Sequence, residues 1–281
     1  QLRSQEGIIV IPGFFGYTTD GQLMTFSRGG SDITGSIIAA GIKADLYENF
    51  TDVDSVYSVN PQFVKHPKEI KVLTYKEMRE LSYAGFSVFH DEALIPAYEA
   101  KIPVCIKNTN NPTASGTMIV AHKKPTARCV VGIASDTGFC SLYVSKYLMN
   151  REIGFGRKLL HVLEEENISF EHMPSGIDDI TIIMREDQLT PEKEARIINR
   201  IKHELHVDTI RMVRDLAVIM VVGEGMHQTI GMAHKATEAL ANANVNLEMI
   251  NQGSSEVSMM FGIKTEDLTR AIPSLYQAYF E

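Results

Sequence analysis

The sequence predicts an α/β protein in two parts: a layered half with helices on a mostly parallel sheet, then two ferredoxin-like βαββαβ units in tandem. Three observations predict it. Through about residue 120, strand-length apolar runs alternate with helical segments, the layering of an α/β domain. Residues 153 to 184 align without gaps on residues 230 to 261, an offset of 77 that marks a duplicated unit. Each copy reads strand, glycine loop, helix, strand, turn, strand, helix.

In the first half, residues 8 to 11 (Ile-Ile-Val-Ile) read as a buried strand, as if an earlier part of its sheet preceded Gln1. A glycine loop, a helix over 32 to 41, a strand over 44 to 49, a loop over 51 to 61, a helix over 74 to 84 and a strand over 103 to 107 follow. The turn-rich NTNNPTASGT, residues 108 to 117, leads into the strand MIVA, and the polar HKKPTAR after it marks a domain boundary. Residues 1–122 are therefore assigned to the first half, 123–136 to a linker and strand, 137–210 to the first repeat unit and 211–281 to the second.

The first copy places strands at CSLYVS, ISFEHM and DITIIM, with helices ending at Asn167 and over 191 to 205. The second places them at LAVIMVV, VNLEMI and VSMMFGI, with helices to Asn242 and over 267 to 280. Matched pairs include Gly154/Gly231, Leu163/Leu240, Asn167/Asn244, Glu171/Glu248 and Ile168/Val245. The second copy reaches Glu281 directly after its last helix, so its closing strand is sought in residues 127 to 135, ARCVVGIAS. The first unit is then inserted into the second, and the two fold as one body.

Composition narrows the function. With 281 residues, 44% hydrophobic and 22% charged, the chain has the make-up of a soluble globular protein of two or three units. A net charge of -8 offers no field for nucleic acid or anionic membrane, which leaves small ligands. Cys105, Cys129 and Cys140 form no CxxC, as expected of reduced thiols in a cytoplasmic protein. No eighteen-residue apolar run occurs, and QLRSQEG does not resemble a signal peptide.

The segment FSRGGSDITG, residues 26 to 35, sets Gly29 and Gly30 before a helix whose first residues include Ser31 and Asp32. Glycines let a ligand approach the main chain, the helix amides favour an anion, and Arg28 adds a bidentate donor. A capped helix start is the plain alternative. The loop TDVDSVYSVNP holds Thr51, Asp52, Asp54 and Tyr57, able to hydrogen-bond a base or ribose, or simply to make a turn. In the first repeat, Ser169, Glu171 and Ser175 alternate along a strand while Met149 and Phe155 flank the loop before a helix, so a small amino acid fits between; core packing is the alternative for both apolar residues. His203 and His206 lack an evident third ligand, so no metal site is assigned.

Together FSRGGSDITG, YENFTDVDSVYS, ELSYAGFSVFH and EMINQGSSEVSMMFG resemble the aspartokinases, in particular the monofunctional lysine-sensitive type. The resemblance implies the C-terminal half of an amino-acid-kinase domain followed by two ACT units, and transfer of the ATP γ-phosphoryl group, with Mg2+, to the side-chain carboxylate of L-aspartate. It implies that Arg28 grips the substrate carboxylate, Ser31 contacts the same substrate, Asp32 orients a catalytic lysine, and Thr51, Asp52 and Tyr57 line the nucleotide site. Gln62 and Ser87 stand where the family commonly has a nucleotide-contacting arginine and a lysine. The family's lysine-phenylalanine-glycine-glycine strand does not occur in the chain, so the fragment alone is expected to be inactive. An effector, L-lysine by resemblance, is expected near Met149, Glu152, Phe155, Ser169, Phe170, Glu171 and Ser175, in a homodimer or larger assembly formed by the ACT units. A separately made regulatory subunit and a kinase acting on glutamate are the other readings. Gln1 is not an initiator methionine, which favours the fragment.

Overall fold

The computed structural model describes residues 2–26, 29–86, 88–89, 91–124, 129–226, 229–253 and 257–281. The first half opens on a hairpin, β1 (Phe15–Tyr17) and β2 (Leu23–Thr25), followed by α1 (Gly30–Ile42), β3 (Tyr47–Thr51), β4 (Val72–Thr74), α2 (Tyr75–Tyr83), α3 (Asp91–Ala100), β5 (Val104–Asn108) and β6 (Thr117–Val120). Its sheet runs β3-β5-β6-β4, with β3/β5 and β4/β6 parallel and β5/β6 antiparallel. Helix α1 starts from Gly29 at φ 62°, a left-handed turn that glycine adopts without strain. Helix α2 starts from a capping box, in which Thr74 and Glu77 each accept the other's backbone N–H.

Three differences from the sequence reading stand out. Residues 8 to 11 join no strand ladder, and Ile8 and Val10 are 97% and 88% exposed. A strand needs neighbouring backbone to pair its N–H and C=O groups, and no described segment forms a ladder with this one. Strand β3 begins at Tyr47 rather than 44, because Lys43 turns left-handed and the Ala44 amide closes back on Ala39. Helix α3 was absent from the sequence reading; beside its internal Pro96, the Ala97 amide bonds Ser36 Oγ of α1 at 3.1 Å.

The second half comprises β7 (Gly132–Ser145), α4 (Phe155–Glu165), β8 (Asp179–Arg185), α5 (Pro191–Leu205), β9 (Thr209–Val222), α6 (Met232–Asn242), β10 (Met249–Asn251), β11 (Ser258–Lys264) and α7 (Leu268–Phe280). They form one antiparallel sheet, ordered β10-β11-β9-β7-β8. Strands β7 and β9 are each 14 residues long and serve both repeats: 132 to 137 pairs with 217 to 222, and 141 to 145 with 209 to 213. The duplication is visible in the backbone. Gly154 and Gly231 cap α4 and α6 at φ 79° and 87°, and Asn167 and Asn244 both sit at φ 53°.

The expected strand at 168 to 173 is reduced to isolated bridges, His172 to Ile183 and Ser175 to Ile180. The Glu171 and His172 amides both point at the Ile183 carbonyl, at 2.8 and 3.5 Å, and Pro174 has no N–H to offer. In the second repeat VNLEMI pairs only from Met249.

Register shifts at Gly138 in β7 and around Asp215 in β9 change which side chains face the helices. Before the shift, Ile133 packs with Ala217, Ile219 and Val221 against α6 and α7; beyond it, Cys140, Leu142 and Val144 pack against α4 and α5. All four helices thus cover one face. The other face, carrying Ala134, Phe139, Leu216, Val218 and Met220, shares a single core with Leu73, Met78, Leu81 and Phe89 of the first half. The junction is therefore a buried apolar seam, not a hinge between separate bodies.

Candidate functional site

The N-terminus of α1 faces the carboxyl-terminal side of the parallel pair β3/β5, where open α/β sheets hold their ligands. Asn49, a polar residue only 7% exposed in the middle of β3, explains the arrangement. Its Nδ2 donates to Asp32 Oδ1 at 3.0 Å, and the Tyr47 hydroxyl donates to the Asp32 carbonyl at 3.1 Å. A buried amide without a partner costs roughly 1–3 kcal/mol, so this bond fixes the Asp32 carboxylate. Burial pushes the Tyr47 hydroxyl above its ordinary range, keeping it a donor. Gly30 is needed for packing: a Cβ there would lie 2.7 Å from Phe26 Cβ and 2.8 Å from Phe14 Cδ2. Ser31 is exposed beside Asp32, and Gly29 supplies the turn. Arg28 lies outside the described residues, as does Ser87.

At the ends of the same strands the 51 to 57 loop meets the 108 to 111 turn. The Thr109 amide donates to the Thr51 carbonyl at 2.8 Å, and Asp54 Oδ1 accepts from Asn108 Nδ2 (2.8 Å) and Asn111 Nδ2 (3.2 Å). Thr51 Oγ1 donates to Asp52 Oδ1 at 3.2 Å, and Asp52 is exposed. Tyr57 bridges to Glu69, and its hydroxyl is raised by burial and the nearby Asp54 carboxylate. Asn49, Asn108 and Asn111 were missed from sequence; a polar residue inside an otherwise strand-like YENFT was the signal for the first.

The seven residues singled out in the first repeat divide into four groups. Met149 and Phe155, 6% and 3% exposed, are core under α4 and α5. Glu152 accepts from Lys146 (2.6 Å) and Lys158 (2.7 Å), which hold its carboxyl down at about 2 from an ordinary 4.5. Ser169 bonds Gln188 Oε1 through its amide and hydroxyl, beside the exposed Phe170, while Ser175 bridges Ile180. Glu171 turns toward the first half, where the Tyr83 hydroxyl donates to it and Arg185 Nε lies 3.7 Å away.

The Glu152 cluster carries a pH prediction. Its folded value lies below the unfolded one, so its stabilisation is complete above about pH 4.5 and is lost as pH falls toward about 2. Glu152→Gln should flatten that part of the acid limb, read as urea midpoints compared at neutral pH and at about pH 3. An unchanged acid limb would show that the two lysines contribute nothing.

A cleft of about 690 Å³ at the junction of the two halves is lined by none of these candidate residues. Lys68, Lys71, His122, Lys123, Lys124 and Phe280 line it, but Lys68 is bonded to the Phe280 carbonyl, Lys71 to Glu69 and Lys123 to Glu77. It is the mouth of the seam between the halves.

A helix start over the ends of two parallel strands in one half, fused to duplicated ferredoxin-like units in the other, is the layout of an amino-acid-kinase fold joined to ACT units. Residues 1–108 match the amino acid kinase family and residues 219–279 match an ACT domain. The chain is 62% identical over 280 residues to aspartokinase 3 of Bacillus subtilis, covering 100% of this chain and 62% of that one. The crystal structure of Clostridium acetobutylicum aspartate kinase superposes with a TM-score of 0.89 at 44% identity, over 95% of this chain and 62% of that one. Escherichia coli aspartokinase III shares the fold, at TM-score 0.79 and 23% identity in complex with aspartate and ADP (R-state) and 0.75 and 24% with lysine and aspartate (T-state), over 96% of this chain and 60% and 59% of those. The chain belongs to the aspartokinase family and spans 62% of the length of its Bacillus relative.

Proposed function

We propose that this chain forms the nucleotide-side half (1–122) and the two ACT units (137–210 and 211–281, with 123–136 joining them) of an ATP-dependent aspartate kinase that makes 4-phospho-L-aspartate under feedback by L-lysine. The observation that carries the catalytic reading is Asp32, fixed by Asn49 at a helix N-terminus over the ends of two parallel strands. That geometry suits an anion held by backbone amides, with catalysis by positioning and by neutralising charge on the transferred group. In this reading Arg28 and Ser31 hold L-aspartate, the amides at Gly29 and Gly30 face the phosphoryl group, Asp32 orients a catalytic lysine, and Thr51, Asp52 and Tyr57 line the nucleotide site. Magnesium would arrive on the phosphates, since it keeps most of its waters and takes few protein ligands. The exposed Asp52 carboxylate is compatible with that role.

Glu171 is the proposed partner of an effector's ammonium group; Glu152 is already neutralised by two lysines. The lysine-bound Escherichia coli enzyme supports an amino-acid effector of this kind. Pairing of ACT edges between two copies would cover the sparsely bonded 169 to 175 edge and give a homodimer. The shared core between the halves supports a single regulated enzyme over a separate sensor subunit.

The test is ATP-dependent hydroxamate formation by this chain, alone and joined to the preceding part of a full-length aspartokinase. The joined protein should act on L-aspartate and residues 1–281 alone should not. Activity with glutamate only would overturn the assignment.

A further inference from the structure

We propose that Tyr83 is a positioning residue for regulation: its hydroxyl occupies the Glu171 carboxylate that an effector's ammonium group must take, so that effector binding releases the end of α2. The inference rests on the reading of Glu171 as the ammonium partner.

Three observations support it. The first is the bond itself, which joins residues 88 apart in sequence: Tyr83 at the last turn of α2 donates to Glu171 Oε2, with its ring edge-on to His172 at 6.2 Å. The second concerns the other group beside that carboxylate. Arg185 is pinned, with Nη2 bonded to Asp136 Oδ2 at 2.6 Å, Nη1 to the Thr137 carbonyl at 3.3 Å, and the guanidinium 4.1 Å over the Phe139 ring. Its Nε stays 3.7 Å from Glu171 Oε1. Tyr83, 38% exposed, can turn its hydroxyl to water when a cation arrives, so it is the partner that yields. An ammonium on a carboxylate makes a stronger, charge-assisted bond than a neutral phenol does.

The third observation is what Tyr83 anchors. Two residues on, Gly85 sits at φ 105°, and a Cβ there would lie 2.7 Å from the Ser135 carbonyl, so the end of α2 presses directly on β7. The amides of Ala84, Gly85 and Phe86 fold back on the carbonyls of Glu80, Ser82 and Leu81, at 3.3, 3.2 and 3.0 Å. The same helix is held midway by Ser258 Oγ donating to Glu80 at 2.7 Å and at its start by the Glu224 amide donating to Glu77 at 3.0 Å. One short helix thus touches both repeats. The Tyr83 contact alone engages the proposed effector carboxylate, so that carboxylate and the helix end form a two-state element that both ligand and kinase half can bias.

Coupling of this kind is reciprocal. If the hydroxyl competes with the effector, removing it tightens effector binding by about 3- to 10-fold, the weight of one partly exposed hydrogen bond to a charged group. The experiment is calorimetric titration of the 281-residue chain and its Tyr83→Phe variant with L-lysine as probe, together with amide hydrogen exchange at Ala84, Gly85 and Phe86. The expected result is tighter binding in the variant, and exchange at those amides that rises with L-lysine in the unsubstituted chain but is already raised in Tyr83→Phe without it. Equal affinities and unaltered exchange, with L-lysine bound to both proteins, would overturn the role of Tyr83 alone. Failure of L-lysine to bind either protein would remove the effector reading and this inference together. Glu171→Gln, which keeps an acceptor for Tyr83 but loses the charge, should fold as the parent does and no longer bind L-lysine; retained binding would likewise count against both.

Discussion

Replacing Glu77 by alanine is expected to cost about 3–5 kcal/mol of stability, because it strips the counter-ion from a buried cation. The Glu77 side chain is fully buried, and each of its oxygens is used twice. Oε2 accepts from the Thr74 amide at 3.0 Å and from Lys123 Nζ at 2.5 Å; Oε1 accepts from the same ammonium at 2.7 Å and from the Glu224 amide at 3.0 Å. Three structures meet there: the first turn of α2, the segment leading out of β6, and the short turn after β9. Alanine would leave Lys123, 13% exposed, charged and unpaired, and would orphan two backbone donors. Urea unfolding checks the size of the loss. A double-mutant cycle with Lys123→Met checks the cause, since the second change should cost much less once the carboxylate is gone. Additive losses would mean that the pair is not coupled.

The second large effect is expected at Gly223. A Cβ there would stand 1.9 Å from the Cys129 carbonyl oxygen and 2.9 Å from Val130 Cα, all main-chain atoms with no rotamer to retreat into. Gly223→Ala must push residues 129 to 131 off the end of β9, threatening the bond from the Val131 amide to the Val222 carbonyl (2.8 Å) and that from the Gly223 amide to the Val257 carbonyl (2.8 Å). A loss of about 3 kcal/mol is expected, at the upper end for overpacking. Gly156→Ala is the control: nothing lies within 4 Å of its Cβ, and it sits in the first turn of α4. It should be neutral or stabilise by up to about 1 kcal/mol, because alanine favours the helix and restricts the unfolded chain. Equal midpoints for the two variants in thermal unfolding would show that the close approach at Gly223 is not felt.

What was legible in the sequence follows from the range of the forces that write it. Helices α4 to α7 announce themselves by periodicity, and the repeat exposes their caps, because Gly154 and Gly231 must adopt the same left-handed turn. Short paired segments such as β1, β2 and β4 were invisible, being three residues long and defined only by their partners. Residues 8 to 11 failed for the converse reason: an apolar run has strand composition, but composition does not supply a paired backbone, and none of the described strands pairs with it.

At the site, Gly29, Gly30, Ser31 and Asp32 were readable because a helix start has a local grammar. The Asn49 bond to Asp32 spans 17 residues and the Asn108 bond to Asp54 spans 54, so neither leaves a mark in any single window. In the first repeat Met149, Phe155, Ser169, Glu171 and Ser175 stood out by their strand and loop positions, and Glu152 and Phe170 only through resemblance; that Glu152 is matched by lysines while Glu171 looks across to α2 is a fact of packing.

Strands β7 and β9 lie side by side along the whole length of the two repeats. Each is an extended rod of roughly 46 Å, at about 3.3 Å per residue, threaded through both repeats. Neither unit can be excised, exchanged or allowed to melt without taking a rod from its twin, so a recombination point anywhere between Gly132 and Val222 would ruin both at once. The pair is bound to be inherited, and to unfold, as a single piece.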